Sequence, residues 1–165
     1  MWNLQVMTIL SKEIITSSPE KTLILGEKIG RNLKGGEFFV LSGPLGSGKT
    51  VFVKGLAKGL GVKDYEYVSS ASFIILKIYK GRLPLYHFDL FRVEDFHELE
   101  DIGWEEYVKE EGVVVMEWGE RFKKYWSNNY LEVNFQFGDG INERRIKFSS
   151  EDVGYKELFL ILDLP

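Results

Sequence analysis

Apolar positions along the chain change period several times, and each change marks an element. Residues 5 to 16 are apolar and rich in β-branched side chains, which predicts a first strand or strand pair. Ser18 followed by Pro19 has the form of a helix N-cap with proline at the first helical position. Thr22, Leu25, Ile29 and Leu33 then fall three and four residues apart, so this helix has one stripe to bury, and Lys-Gly-Gly at 34–36 ends it. "EFFVLS" at 37–42 lacks polar alternation, as a strand covered on both faces does. Phe52, Val53, Leu56, Ala57 and Leu60 form a second helical stripe, closed by Gly61. "FIILKIY" and "LPLYHFDLF" flank "KGR" and predict two strands joined by a turn or hairpin. "GVVVME" at 112–117 is another buried strand, and residues 130–137 and 141–148 alternate around "GDG" as a β-hairpin does. The closing "YKELFLILDLP" fits strand or helix. There is no internal repeat, low-complexity segment or linker.

Composition narrows the picture. At 165 residues with ordinary apolar content, the simplest organisation is one domain spanning 1–165. The absence of cysteine excludes disulfides, thiolate zinc sites and a cysteine nucleophile, and suits an intracellular protein. No apolar run approaches the roughly 20 residues that span a bilayer, and the N-terminus lacks a basic segment followed by an apolar core. The expectation is a soluble, unprocessed, cytoplasmic protein. A net charge of −4 argues against gripping nucleic acid by general electrostatics. Arg121, Lys123 and Lys124, and then Arg144, Arg145 and Lys147, read as solvated surface charge.

Chemistry enters at residues 43–50, "GPLGSGKT". Gly43, Gly48, Lys49 and Thr50 satisfy G-x-x-x-x-G-K-[ST], a match expected by chance on the order of once in a hundred chains of this length. The predicted strand before it and helix after it supply the context the motif requires. Glycines let the backbone fold so that successive N–H groups point at phosphate oxygens, and the helix N-terminus adds partial positive charge. The phosphate-facing set is Leu45, Gly46, Ser47, Gly48, Lys49, Thr50 and Val51. Lys49 can bridge terminal phosphates through charge-assisted bonds of roughly 1.5–3 kcal/mol each, and the Thr50 hydroxyl can ligate Mg²⁺.

Such a site draws a carboxylate from the end of a second buried strand, and Glu117 closes "VVVME" in that manner, making it the metal partner of Thr50. In "YHFDLFR", Asp89 could orient or deprotonate an attacking water, or form a structural salt bridge with Arg92. His87 reads as a hydrogen-bonded core residue, since no spaced His or Cys partners accompany it. "SSASF" at 69–73 carries hydroxyls where a loop could close on a terminal phosphate. No Asn-Lys-x-Asp run supports guanine selectivity, which leaves ATP as the nucleotide.

Taken in order, "GPLGSGKT", "SSASF", "LYHFDLFR", "ELEDIGWEEY" and "VVVMEWGER" resemble the TsaE (YjeE) family, bacterial P-loop ATPases needed to make threonylcarbamoyladenosine in tRNA. The likeness spans nearly the whole chain. It implies an α/β P-loop three-layer sandwich whose mixed sheet contains antiparallel strands. It also implies ATP and Mg²⁺ as cofactors, Lys49 on the phosphates, Thr50 and Glu117 on Mg²⁺, and Asp89 as base. Trp118 matches a functional tryptophan. Ser70 and Ser72 would act as a nucleotide-sensing switch, with Ala71 standing where the family has Pro. Pro44 replaces a usual Asp at a position that mainly contributes backbone. Adenine contacts are implied near Ser18 and near Asn142 to Arg144. The partners implied are TsaB and TsaD, with tRNA reached indirectly through that complex.

Two rival readings remain. A small-molecule P-loop kinase would need an acceptor pocket and an arginine-bearing lid, whereas "EDFHELED" is acidic. A nucleotide-dependent binding module would use ATP to hold a docking surface, with little turnover.

Overall fold

The two uninterrupted apolar runs become adjacent parallel strands at the centre of one sheet. They are β2 (Phe38–Ser42) and β5 (Val113–Glu117), buried at all five positions of each. The structure, a computed structural model, describes residues 8–70 and 73–165. The remaining strands are β1 (Leu10–Thr16), β3 (Leu76–Tyr79), β4 (Leu85–Asp89), β6 (Leu131–Phe137) and β7 (Arg144–Ser150). Their spatial order is β1-β7-β6-β2-β5-β4-β3. β6, β2, β5 and β4 are mutually parallel, while β1, β7 and β3 pair antiparallel at the two flanks.

Period two divides the buried side chains of the central strands between two cores. Phe39, Leu41, Val113, Val115 and Leu85 face α1 (Pro19–Asn32) and α2 (Lys49–Gly59). Phe38, Val40, Val114, Met116, Tyr86 and Phe88 face an aromatic layer that includes Trp104, Phe122 and Trp126. That second layer carries α3 (His97–Ile102), α4 (Trp104–Lys109) and a 3₁₀ segment (Gly119–Tyr125). Leu131, Val133, Phe135, Ile146 and Phe148 all face the first core, so the β6–β7 side keeps the one-sided alternation read in the sequence.

Most element assignments carry over. The Ser18 hydroxyl caps α1 by accepting from the Lys21 N–H at 3.2 Å, with Pro19 at the first helical position. The predicted α1 stripe and the predicted α2 stripe are both buried. Residues 10–16 form one strand, and residues 5–7 of the predicted stretch lie outside the described residues. The second strand of the late hairpin starts at Arg144, because the turn extends to Glu143, whose carbonyl accepts from the Gly138 N–H at 2.8 Å. The C-terminal segment is α5 (Lys156–Asp163), with Leu158 and Leu162 buried one turn apart.

The contact between α1 and α2 rests on glycines four residues apart in each helix, Gly26 and Gly30 against Gly55 and Gly59. A Cβ on Gly55 would lie 2.2 Å from the Leu23 carbonyl oxygen, and one on Gly26 would lie 2.4 Å from that of Phe52. Alanine in a helix ordinarily gains about 1 kcal/mol over glycine. Here the obstacle is backbone, and overpacking costs about 1–3 kcal/mol because the helices must separate. Gly55→Ala is therefore expected to lower Tm by roughly 2–12 °C. A thermal melt of the variant checks this, and a raised Tm would contradict the close crossing.

Candidate functional site

Parallel strands end together, so the C-terminal ends of β2, β5 and β4 place three loops side by side. Residues 43–48 leave β2 and turn straight into α2. Gly48 caps α2 with φ 101°, a left-handed conformation that glycine adopts without strain. Gly43, at φ 136°, lies against β6 so closely that a Cβ would meet the Phe135 carbonyl oxygen at 2.4 Å. The loop's tight path therefore depends on glycine at both ends.

Lys49 is the first residue of α2, and its side chain turns back across the loop. Nζ donates to the carbonyl oxygens of Gly43 at 2.7 Å and Pro44 at 2.9 Å, and sits 4.1 Å from the centroid of the Trp118 ring. Burial pushes the Lys49 ammonium below its ordinary range, opposed by the charges of Glu117, Glu120 and Asp89. The Thr50 hydroxyl donates to Glu117 Oε1 at 3.1 Å and lies 3.4 Å from Oε2. Glu117 is almost wholly buried, and His87 Nε2 lies 3.2 Å from the same Oε1. His87 is thus hydrogen-bonded in the core, as its lack of spaced partners predicted.

Asp89 sits beside Glu117 in the β4–β5 register. Leu85, His87 and Asp89 share one face of β4, and Val113, Val115 and Glu117 share the matching face of β5. That alternation brings the two carboxylates and the imidazole toward α2. Burial pushes the Asp89 carboxyl above its ordinary range, while the N–H of Phe91, donating at 3.0 Å to Oδ1, pulls the other way. Arg92 makes no ion pair with Asp89, since its guanidinium lies over the Phe73 ring at 4.8 Å. The structural salt bridge considered for this pair is therefore absent.

Trp118 has φ 62° and is the one non-glycine residue among those described with positive φ. A bulky side chain held there is strained, and its ring is positioned between Phe91, at 5.0 Å between centroids, and Lys49. A cavity of about 270 Å³ is lined by Leu45, Gly46, Ser47, Gly48, Lys49, Thr50 and Val51, together with Ser70, Glu117 and Trp118. Ser72 and Ala71 of the predicted switch lie outside the described residues. Ser18 lies at the start of α1, and the methyl of Thr22, one turn along, is 3.8 Å from the position a Cβ on Gly48 would take.

Two arginines read as solvated surface charge make specific contacts. Arg121 donates to the carbonyl oxygens of Leu90 and Phe91, both at 2.9 Å, tying the segment after β5 to the segment after β4. Arg144 donates to the Gly46 carbonyl at 3.3 Å and stacks on Phe137 at 4.8 Å, so the late hairpin reaches the glycine loop. Charge clustering alone could not distinguish a free guanidinium from one that clamps backbone. Glu120 likewise carries no sequence signal of its burial. Burial pushes its carboxyl up, and Oε2 is buried without a partner.

Among the described residues, Lys49, Asp89 and Glu117 are the buried charged side chains, with His87 beside them. Larger cavities of about 410 and 500 Å³ open beneath α5 and beside Trp104, and neither is lined by a buried charged residue. Charge burial is costly, so its concentration at one set of strand ends marks the candidate site better than cavity size does. Among the described residues no helix is long and apolar enough to cross a membrane.

A buried parallel strand running through this loop into a helix, in a mixed sheet covered by helices on both faces of its centre, defines a P-loop α/β sandwich. The crystal structure of YdiB from Bacillus subtilis superposes with a TM-score of 0.76 at 29% identity, covering 95% of this chain and 99% of that one. The chain belongs to the TsaE family: the sequence model described as "Threonylcarbamoyl adenosine biosynthesis protein TsaE" matches residues 16–146. The tRNA threonylcarbamoyladenosine biosynthesis protein TsaE of Bacillus subtilis is 38% identical over 144 residues, 87% of this chain and 88% of its own. Its counterpart in Aquifex aeolicus is 46% identical over 117 residues, 69% of this chain and 81% of its own.

Proposed function

We propose that this protein is a cytoplasmic Mg²⁺-dependent ATPase that acts with TsaB and TsaD in the threonylcarbamoyladenosine modification of tRNA. The observation that carries the ATPase reading is the gathering of the buried charged side chains, Lys49, Asp89 and Glu117, around the glycine loop. Family membership supports the biosynthetic setting.

The donor set fits Mg²⁺. Thr50 and Glu117 offer hard oxygen atoms in contact with each other, and no cluster of three or more metal-ligating side chains forms among the described residues. Mg²⁺ bound with a nucleotide completes its shell from phosphate oxygens and water, so a sparse protein set suffices. When bound, the cation would neutralise charge developing on the phosphates.

The chain's own groups divide the remaining work. N–H groups from Leu45 to Val51 bind the phosphates, and Lys49 bridges the terminal ones. Asp89, made a stronger base by burial, accepts a proton from the attacking water. Trp118 and Ser70 line the cavity in which the phosphates would lie. Leu45, Phe73 and Phe91 are exposed beside the site and offer apolar surface for a protein partner.

Measurement of ATP turnover with and without TsaB and TsaD tests the reading. Slow hydrolysis by the chain alone and a clear rise on mixing are expected. Turnover that mixing leaves unchanged would contradict the partner-driven cycle.

A further inference from the structure

Glu117 Oε1 has two neighbours within hydrogen-bond distance: the Thr50 hydroxyl at 3.1 Å and His87 Nε2 at 3.2 Å. Neither the His87 nor the Glu117 side chain is more than 2% exposed, so this contact lies out of water. A carboxylate only accepts, which assigns the His87 hydrogen to Nε2. The imidazole is packed at 6.5 Å from the Tyr79 ring and is fixed in position by the β4–β5 register, which sets His87 opposite Val115, two residues before Glu117. Oε2 makes only the longer 3.4 Å contact with Thr50.

We infer that His87 is a positioning residue for the cation site: by donating to Oε1 it sets the plane of the Glu117 carboxylate and leaves Oε2 for the cation or one of its waters. This rests on the nucleotide reading above. Without the imidazole, the buried carboxylate would lose one of its two donors and could rotate about its last torsion. Thr50 would then supply the only remaining hydrogen bond, since its hydroxyl carries a single donor, and one bond does not fix the plane of the carboxylate. Partners that hold a ligating carboxylate in this way typically contribute 10–100-fold to metal affinity.

The test is calorimetric titration of Mg²⁺ into the full chain saturated with the non-hydrolysable analogue AMP-PNP, together with AMP-PNP titration in EDTA. His87→Gln, which can place an N–H near the Nε2 position, should keep most of the Mg²⁺ affinity. His87→Asn, polar but too short to reach, should lose about 10–100-fold, as should His87→Phe. AMP-PNP affinity in EDTA should be the same for wild type and for each folded variant, an outcome that a general structural defect would not give. Mg²⁺ affinity equal to wild type in His87→Asn, or equally lost in His87→Gln, overturns the role of His87 alone. Failure of the wild-type chain to bind AMP-PNP at all overturns the nucleotide reading and this inference with it.

Discussion

Lys49→Ala is expected to weaken ATP binding by about 100-fold while leaving the fold intact. Two charge-assisted bonds to phosphate would contribute roughly 3–6 kcal/mol in total, which alone corresponds to about 10²–10⁴-fold. The lower end applies, because Nζ already donates to the Gly43 and Pro44 carbonyls and must exchange those bonds for phosphate oxygens. It must also leave the Trp118 ring, a contact of about 0.5–2 kcal/mol. The substitution removes a buried ammonium that desolvation disfavours and leaves the glycine backbone of the loop in place, so Tm should change little. Fluorescent-ATP titration alongside a thermal melt measures both quantities, and binding within a few-fold of wild type would remove Lys49 from the phosphate site.

Asp89→Asn should separate binding from hydrolysis. The Asn side-chain oxygen can still accept from the Phe91 N–H, so the turn after β4 is kept, but the amide cannot take a proton from water. Loss of a positioned base costs about 10²–10⁴-fold in rate. ATP affinity should stay near wild type. The pH dependence follows from the same environment. Burial raises the Asp89 carboxyl, so the acidic limb of kcat/KM should lie above the ordinary 3.8 of an aspartate. For stability the sign is opposite to that of a salt-bridged aspartate: the contribution of Asp89 is fully present below its unfolded value and is lost as pH rises through its folded value. At neutral pH Asp89→Asn should therefore be at least as stable as wild type, the pattern of a residue kept for chemistry. Single-turnover hydrolysis and urea unfolding of the variant decide this, and wild-type hydrolysis would dismiss Asp89 as the base.

The parts of this site that could be read from sequence are those whose chemistry is local. Gly48 must take a left-handed φ to start α2, Ser18 and Pro19 each act within one turn, and the apolar runs of β2 and β5 need cover on both faces. Features that depend on a distant partner could not be read. Arg121 and Arg144 are indistinguishable from surface charge until the carbonyls of Leu90 and Gly46 are brought to them. α3 and α4 are six residues each and bury one side chain apiece, Leu99 and Trp104, too few to show a period. In α5 the run from Leu158 to Leu162 is uniformly apolar, and only docking beside β1 and α1 selects the helical spacing. Residues 26, 30, 55 and 59 are a different case, because the four-residue spacing of their glycines is visible in the sequence while the helix each pair faces is not.

Calorimetric titration of the full chain with AMP-PNP in Mg²⁺, with AMP as the competing comparison, probes the phosphate grip of residues 45–51 most directly. Saturable binding at one site per chain, tightened by Mg²⁺ and much weaker for AMP, is the result expected if the loop and the Thr50–Glu117 pair hold the triphosphate. Absent heat, or equal affinity for AMP, would contradict it.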